Sequence, residues 1–178
     1  RKIEIIHNGV ELKEENSAIR SNLNEIIKKY DYKIVSLARI SLQKDILTSI
    51  KVVKQIKELK PNMNFCLCII GNFPEKEKAY KKDVEKQIHK YKLKKNIILL
   101  GEVKNASAYL NLFDLYLSTA LWEGLPTAIN EAFLSRIPVV ATNSPGNIDV
   151  IINGVSGYLV PTAKPDLIAK KILYVMIT

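Results

Sequence analysis

Short apolar runs rich in β-branched residues alternate along this chain with longer stretches in which apolar residues recur every three or four positions. The first pattern marks strands covered on both faces, and the second marks helices that pack by one side. Lys33–Ala38 reads as a strand, and Lys44–Leu59 as a helix with Ile46, Ile50, Val53 and Ile56 on its buried side, ended by Pro61 and Asn62. Phe65–Ile70 is the next strand, closed by Gly71 and followed by one long helix over the lysine-rich stretch 76–95. Asn96–Leu100 is a third strand, closed by Gly101, and Ala106–Phe113 a short helix. Leu115–Ser118, Pro138–Thr142 and Tyr158–Val160 read as further strands, with helices over Pro126–Ser135 and Asp166–Ile177. This alternation predicts an α/β fold, a doubly wound, Rossmann-like parallel sheet of about six strands with helices on both faces.

In such a sheet, ligands bind outside the carboxyl ends of the strands, where loops and helix N-termini converge. Arg39 follows the first strand, Gly71-Asn72 the second, Gly101-Glu102-Val103 the third, Trp122–Pro126 the fourth, and Asn143–Gly146 the fifth. All of these loops are expected on one edge, within reach of a single ligand.

Length and composition narrow the class. A chain of 178 residues, 47% hydrophobic, suffices for one core without disulfides or metal. No apolar run nears the roughly 20 residues of a membrane span, and the start has no signal-peptide core, so the expectation is a soluble, cytoplasmic domain. Cys66 and Cys68 share one face of a buried strand and read as core. The net charge of +9 is unevenly spread: nine lysines between residues 76 and 95 face only Glu77, Asp83 and Glu85. We read this stretch as a solvated helix face. It lacks the arginine and aromatic interleaving of base recognition, so no nucleic-acid partner is expected, and an anionic membrane surface is the better partner for that charge.

The most informative stretch is WEGLPTAINE, residues 122–131. Gly124 permits a tight turn, and Pro126 suits the first turn of a helix. The N–H groups around Thr127 and Ala128 are then expected to point, with the positive end of the helix dipole, at an anion such as phosphate. Glu123 and Glu131 flank that position and can accept hydrogen bonds from sugar or ribose hydroxyls. Two glutamates at this spacing mean little alone, since Glu77 and Glu85 show the same spacing on the lysine stretch. Context separates the pairs: only the first follows a buried strand and brackets a turn that opens a helix. Arg39 and Lys44 flank the loop after the first strand, where two cations can neutralise a diphosphate as a metal ion would. An arginine directly ending a buried strand is expected to have a partner. Trp122, at the mouth of a strand, is expected to close the core, as are Tyr109 and Tyr116. His7 and His89 have no nucleophile or ligand partner nearby in sequence.

Taken in order, the segments IIHNGVEL (5–12), IVSLARISLQKD (34–45), CIIGN (68–72), IILLGEV (97–103), DLYLSTALWEGLPTAINEAF (114–133), PVVATNSPGNIDVI (138–151) and NGVSGYLV (153–160) carry a resemblance. The chain resembles the C-terminal, nucleotide-sugar donor-binding domain of GT-B-fold, group-1 retaining glycosyltransferases. The resemblance implies metal-independent transfer of a hexose or related sugar from a nucleotide diphosphate sugar, with retention of anomeric configuration. The donor is then a substrate, and no cofactor is expected. Arg39 and Lys44 fall to the diphosphate, Glu131 to the ribose, Glu123 with Gly124, Leu125, Pro126 and Thr127 to the donor sugar and distal phosphate, and the loop around Val103 to the base. The loop at Gly71 and Asn72 departs from the family's glycine-rich turn, which weakens phosphate contact there. Arg136 stands where a glycine is usual, so a positive φ is expected at a non-glycine residue. Asp45 replaces a common glycine and is expected to draw Lys44 away from the diphosphate.

The resemblance also sets an expected organisation. Residues 1–12 correspond to an interdomain linker or first-strand region and 13–178 to one donor-binding domain, whose N-terminal acceptor-binding partner domain lies outside this chain. It implies a role in bacterial surface polysaccharide synthesis at the inner face of the membrane, on a saccharide or lipid-linked acceptor. The competing readings are a sugar-nucleotide epimerase of the same fold, which needs no acceptor, and a noncatalytic polyanion- or nucleotide-binding module built on the lysines.

Overall fold

The computed structural model describes residues 9–11 and 13–177. The expected linker over 1–12 therefore lies mostly outside the described residues, as does His7. Six parallel strands form one sheet: β1 (Tyr32–Leu37), β2 (Phe65–Ile70), β3 (Ile97–Gly101), β4 (Leu115–Ser118), β5 (Val139–Thr142) and β6 (Tyr158–Val160). Their order is β3-β2-β1-β4-β5-β6. The chain winds outward from β1 to β3, then returns to place β4 on the other side of β1. The sheet therefore changes winding direction between β1 and β4, and in folds of this kind that crevice takes the ligand.

Side-chain alternation along the strands builds two cores. In β2, Phe65, Leu67 and Ile69 enter one layer and Cys66, Cys68 and Ile70 the other. The first layer is closed by α2 (Ile46–Leu59), α3 (Lys78–Lys90) and α6 (Pro165–Ile177), through Ile50, Val53, Val84 and Ile172 among others. The second is closed by α1 (Ser17–Ile27), a 3-10 segment Ala106–Leu112 and α4 (Thr127–Leu134), through Ile27, Leu110, Ile129 and Ala132. A single turn, α5 (Asn147–Val150), follows β5. β2 is buried over its full length, which is why it reads as an unbroken apolar run. The two cysteines are reduced and buried, their sulfurs 4.0 Å apart.

Several elements differ from the pattern-based expectation. Helix α1 was not anticipated. It is capped by the Asn16 side chain, which accepts from the N–H groups of Ala18 and Ile19, but only Leu23 and Ile27 are buried, so its apolar stripe is thin. The lysine-rich helix stops at Lys90. Lys92 then takes the left-handed conformation with φ 55°, and Lys92, Lys94 and Lys95 belong to the turn that enters β3. Arg136 does sit at positive φ, 58°.

Candidate donor site at the β1–β4 switch point

The loops after β1 and β4 are stitched together by their backbones. The N–H of Leu121 donates to the Gln43 carbonyl at 2.9 Å, and the Gln43 side-chain amide donates to the Trp122 carbonyl at 2.9 Å. Thr119, 2% exposed at the end of β4, contacts the Ser49 hydroxyl at 2.7 Å and donates to the carbonyls of Lys44 and Asp45, each at 3.0 Å. One geometry satisfies the set: Ser49 donates to Thr119, and Thr119 shares its proton between the two carbonyls. Asp45 needs this support, because it stands at φ 44° in a region that disfavours a side chain.

This stitching brings Lys44 and Glu123 together, although 79 positions separate them in the chain. Their side chains form an ion pair with little exposure, 19% and 10%. Asp45 is not the partner of Lys44; its carboxylate instead accepts from the Thr48 N–H and caps α2. The expected competition from Asp45 is thus replaced by a pairing within the site. Arg39 is exposed, and among the described residues nothing pairs with its guanidinium. β1 ends at Leu37, two residues before Arg39, so the side chain reaches solvent and no protein carboxylate pairs with it among the described residues.

The loop after β5 closes against the same centre. The Glu123 N–H donates to the Pro145 carbonyl at 2.9 Å, and Gly146, at φ 84°, passes so close that a Cβ there would lie 2.4 Å from the Glu123 carbonyl oxygen. The loop after β2 is held similarly. A Cβ on Gly71 would lie 2.0 Å from the Ala38 carbonyl oxygen. The Ile40 N–H donates to the Asn72 carbonyl, and the Asn72 side chain donates to Glu102 at 2.8 Å. Gly71 and Asn72 therefore anchor neighbouring loops. Val103 packs against the second core layer.

At the start of α4, Pro126 has φ −80° and ψ 69°, the shape of an inverse γ-turn, and the Thr127 N–H is taken by the Leu125 carbonyl at 2.9 Å. The expectation of a free N–H at Thr127 is corrected: the Ala128 N–H is the one left without a backbone acceptor there. One turn further on, Glu131 and Thr127 border an open cleft of about 520 Å³ whose other wall is Gly9, Val10, Glu11 and Lys13. Lys13 pairs with Glu11 at 2.6 Å, and that contact, with a weaker contribution from Glu131, holds its ammonium above the usual lysine range. Tyr116, buried in the second core layer, feels the charges of both glutamates. Burial pushes its phenol well above the ordinary tyrosine value, and the charges of Glu123 and Glu131 add to this; its hydroxyl donates to the Leu37 carbonyl at 3.3 Å. Trp122, expected in the core, is 51% exposed at the rim.

Sequence reasoning missed Thr119 and the role of Gly9, Val10, Glu11 and Lys13 as a cleft wall. Thr119 stands one residue beyond a predicted strand, so the strand-end rule could have found it. Gly9, Val10 and Glu11 lie in the segment IIHNGVEL, which carries the family resemblance but was given no role in the site.

Comparison with known proteins decides the family. The family described as glycosyl transferases group 1 matches residues 20–177. The chain belongs to the group 1 glycosyltransferases. It is 31% identical over 166 residues to the UDP-Gal:alpha-D-GlcNAc-diphosphoundecaprenol alpha-1,3-galactosyltransferase of Escherichia coli, a match covering 89% of this chain and 41% of that one. Its fold superposes on Anabaena HepE, solved with UDP and glucose, with a TM-score of 0.84 at 22% identity, over 98% of this chain and 47% of HepE. It also matches the C-terminal domain of the group 1 family protein LpcC from Francisella tularensis, TM-score 0.77 at 22% identity, over 96% of this chain and 89% of that domain. The chain thus spans under half the length of the galactosyltransferase it resembles and corresponds to the C-terminal, Rossmann-like half of a GT-B fold.

Proposed function

We propose that this group 1 domain binds a nucleotide diphosphate sugar across the β1–β4 switch point and serves as the donor half of a retaining glycosyltransferase. The observation that carries the reading is the meeting of Lys44 and Glu123 on the strand-end edge, which also carries Arg39, without a partner among the described residues, and the Ala128 N–H at the start of α4. Arg39 and Lys44 take the diphosphate. Glu123 with the Gly124–Thr127 turn takes the sugar and distal phosphate, and Glu131 takes the ribose. HepE was solved with UDP and glucose, which favours a uridine donor here.

The charge logic is coherent. When the bond between the sugar and the diphosphate breaks, negative charge grows on the departing phosphate oxygen. Cations and an N–H already fixed at that spot stabilise it without reorganising. We assign no metal to the step, because Arg39 and Lys44 do the neutralising a divalent cation would otherwise do. Lys44 neutralises Glu123, and a diphosphate bound here offers the lysine a second partner and frees the carboxylate for a sugar hydroxyl. The acceptor is placed on a second domain closing over this edge, and positioning both reactants supplies much of the rate. By likeness to the Escherichia coli galactosyltransferase, the whole protein is assigned to transfer onto a lipid-linked or saccharide acceptor in bacterial surface polysaccharide synthesis, at the cytoplasmic face. Among the described residues no helix is long and apolar enough to cross a membrane.

Calorimetric titration of UDP tests the reading. Saturable binding in the millimolar range or tighter, lost in Arg39→Ala and in Glu131→Ala, supports it. Absence of binding, or binding that both variants retain, counts against it.

A further inference from the structure

The sheet edge opposite the donor site carries a different chemistry. Three helices, α1, α2 and α3, end there, and the turns that follow them enter β1, β2 and β3 side by side. These turns present Lys29, Lys60, Lys90, Lys92, Lys94 and Lys95, and among the described residues no carboxylate lies within ion-pair distance of any of them. The nearby acids Glu25 and Glu58 are taken by Lys28 and Lys54, which leaves Asp31 as the unpaired acid in these turns. The turns are tied to one another. The Tyr30 hydroxyl donates to the Lys95 carbonyl at 2.6 Å, the Lys57 ammonium to the Lys92 carbonyl at 3.3 Å, and the Asn64 amide to the Lys29 carbonyl at 2.7 Å. Four of the lysines and His89 line an open surface depression of about 490 Å³.

We propose that this basic edge docks on the surface of an anionic lipid bilayer. Cations near helix C-termini are expected from the helix dipole, and one per helix would serve that purpose. The edge has six for three helices, and Lys92 occupies the left-handed position after α3 that helices usually give to glycine. All are lysines, whose hydrated point charges suit diffuse attraction to headgroups better than the bidentate recognition that arginine provides. Leu59 stands 46% exposed next to Lys60, an apolar residue placed to enter the headgroup region.

Co-sedimentation of the chain with phosphatidylcholine vesicles, with and without about 30 mol% phosphatidylglycerol, tests this in about 0.1 M salt. The chain is expected to bind the anionic vesicles selectively and to be released as salt rises. The triple variant Lys90→Gln, Lys94→Gln, Lys95→Gln is expected to lose about a hundredfold in partitioning. The equal charge change Lys81→Gln, Lys82→Gln, Lys86→Gln, on the outer face of α3, is expected to cost under about threefold if place rather than net charge governs. Equal losses in the two triples, no preference for anionic vesicles, or tight binding of heparin or RNA without vesicle binding overturns the proposal. Because a triple variant can fail to fold, Leu59→Trp on a Trp122→Phe background gives a second reading. A blue shift of emission with anionic vesicles supports docking, and unshifted emission overturns it.

Discussion

The two edges of this sheet are made of the same parts and are held in opposite ways. Where the strands end, helices begin, so the positive ends of their dipoles face the cleft, and carboxylates are welcome there. Glu123 and Glu131 occupy that edge, with Lys44 paired and the loops cross-linked through Thr119, Gln43 and Gly146. Where the strands begin, helices end, and lysines gather without carboxylate partners. The net charge of the chain therefore describes the edge away from the donor cleft. The strand-end edge combines the Lys44–Glu123 pair with an exposed Arg39 and a second carboxylate, Glu131, and the surplus of lysines sits at the opposite edge.

The glycines offer the largest way to break this contrast. Gly146→Ala and Gly71→Ala each drive a methyl group into a neighbouring loop's carbonyl, and each is expected to cost about 3 kcal/mol in chemical denaturation together with nucleotide binding. Gly154→Ala, at φ 79° but in open space, is expected to cost about 1 kcal/mol and leave binding intact. If all three cost the same, the close approach is not what holds the donor edge together.

Removing one charge from the cleft comes next. Arg39→Ala or Glu131→Ala is expected to weaken UDP about tenfold to a hundredfold, with the denaturation midpoint unchanged, because neither side chain is bonded within the described structure. Thr119→Val removes the donor shared by the Lys44 and Asp45 carbonyls. It is expected to cost about 1–2 kcal/mol of stability and to weaken UDP severalfold, with Thr119→Ser restoring both. Rescue that fails with serine would place the effect in packing.

The smallest expected effect lies between two helix starts at the strand-end edge. Tyr80 on α3 accepts from the Leu47 N–H at the start of α2, and burial pushes its phenol up to about 12. Since the folded-state value lies above the ordinary 10, its contribution is complete below pH 10 and is lost as pH rises toward 12. Thermal melts across that window should show a shallower decline in Tyr80→Phe than in the parent; identical slopes would remove Tyr80 from the account.

Much of this was legible from the chain. The buried runs gave the strands because β2 and its neighbours are covered on both faces, and the order of the glycine-bearing loops placed them on one edge. What escaped did so for physical reasons. Helix α1 buries two side chains, too few to stand out in the pattern. The Lys44–Glu123 pair joins positions 79 apart, and Thr119 is chemically plain until its hydroxyl is seen beneath two carbonyls. The basic edge looked like one helix face because only strand order sets Lys29 and Lys60 beside Lys94.

The central claim is that nucleotide binds at the strand-end edge and nowhere near the lysines. Amide chemical-shift mapping during a UDP titration addresses both edges in one measurement. The account predicts the largest perturbations over residues 39–44 and 123–131, with residues 91–96 silent. Perturbations centred on 91–96, or none along 39–44 and 123–131 at saturating UDP, would contradict it.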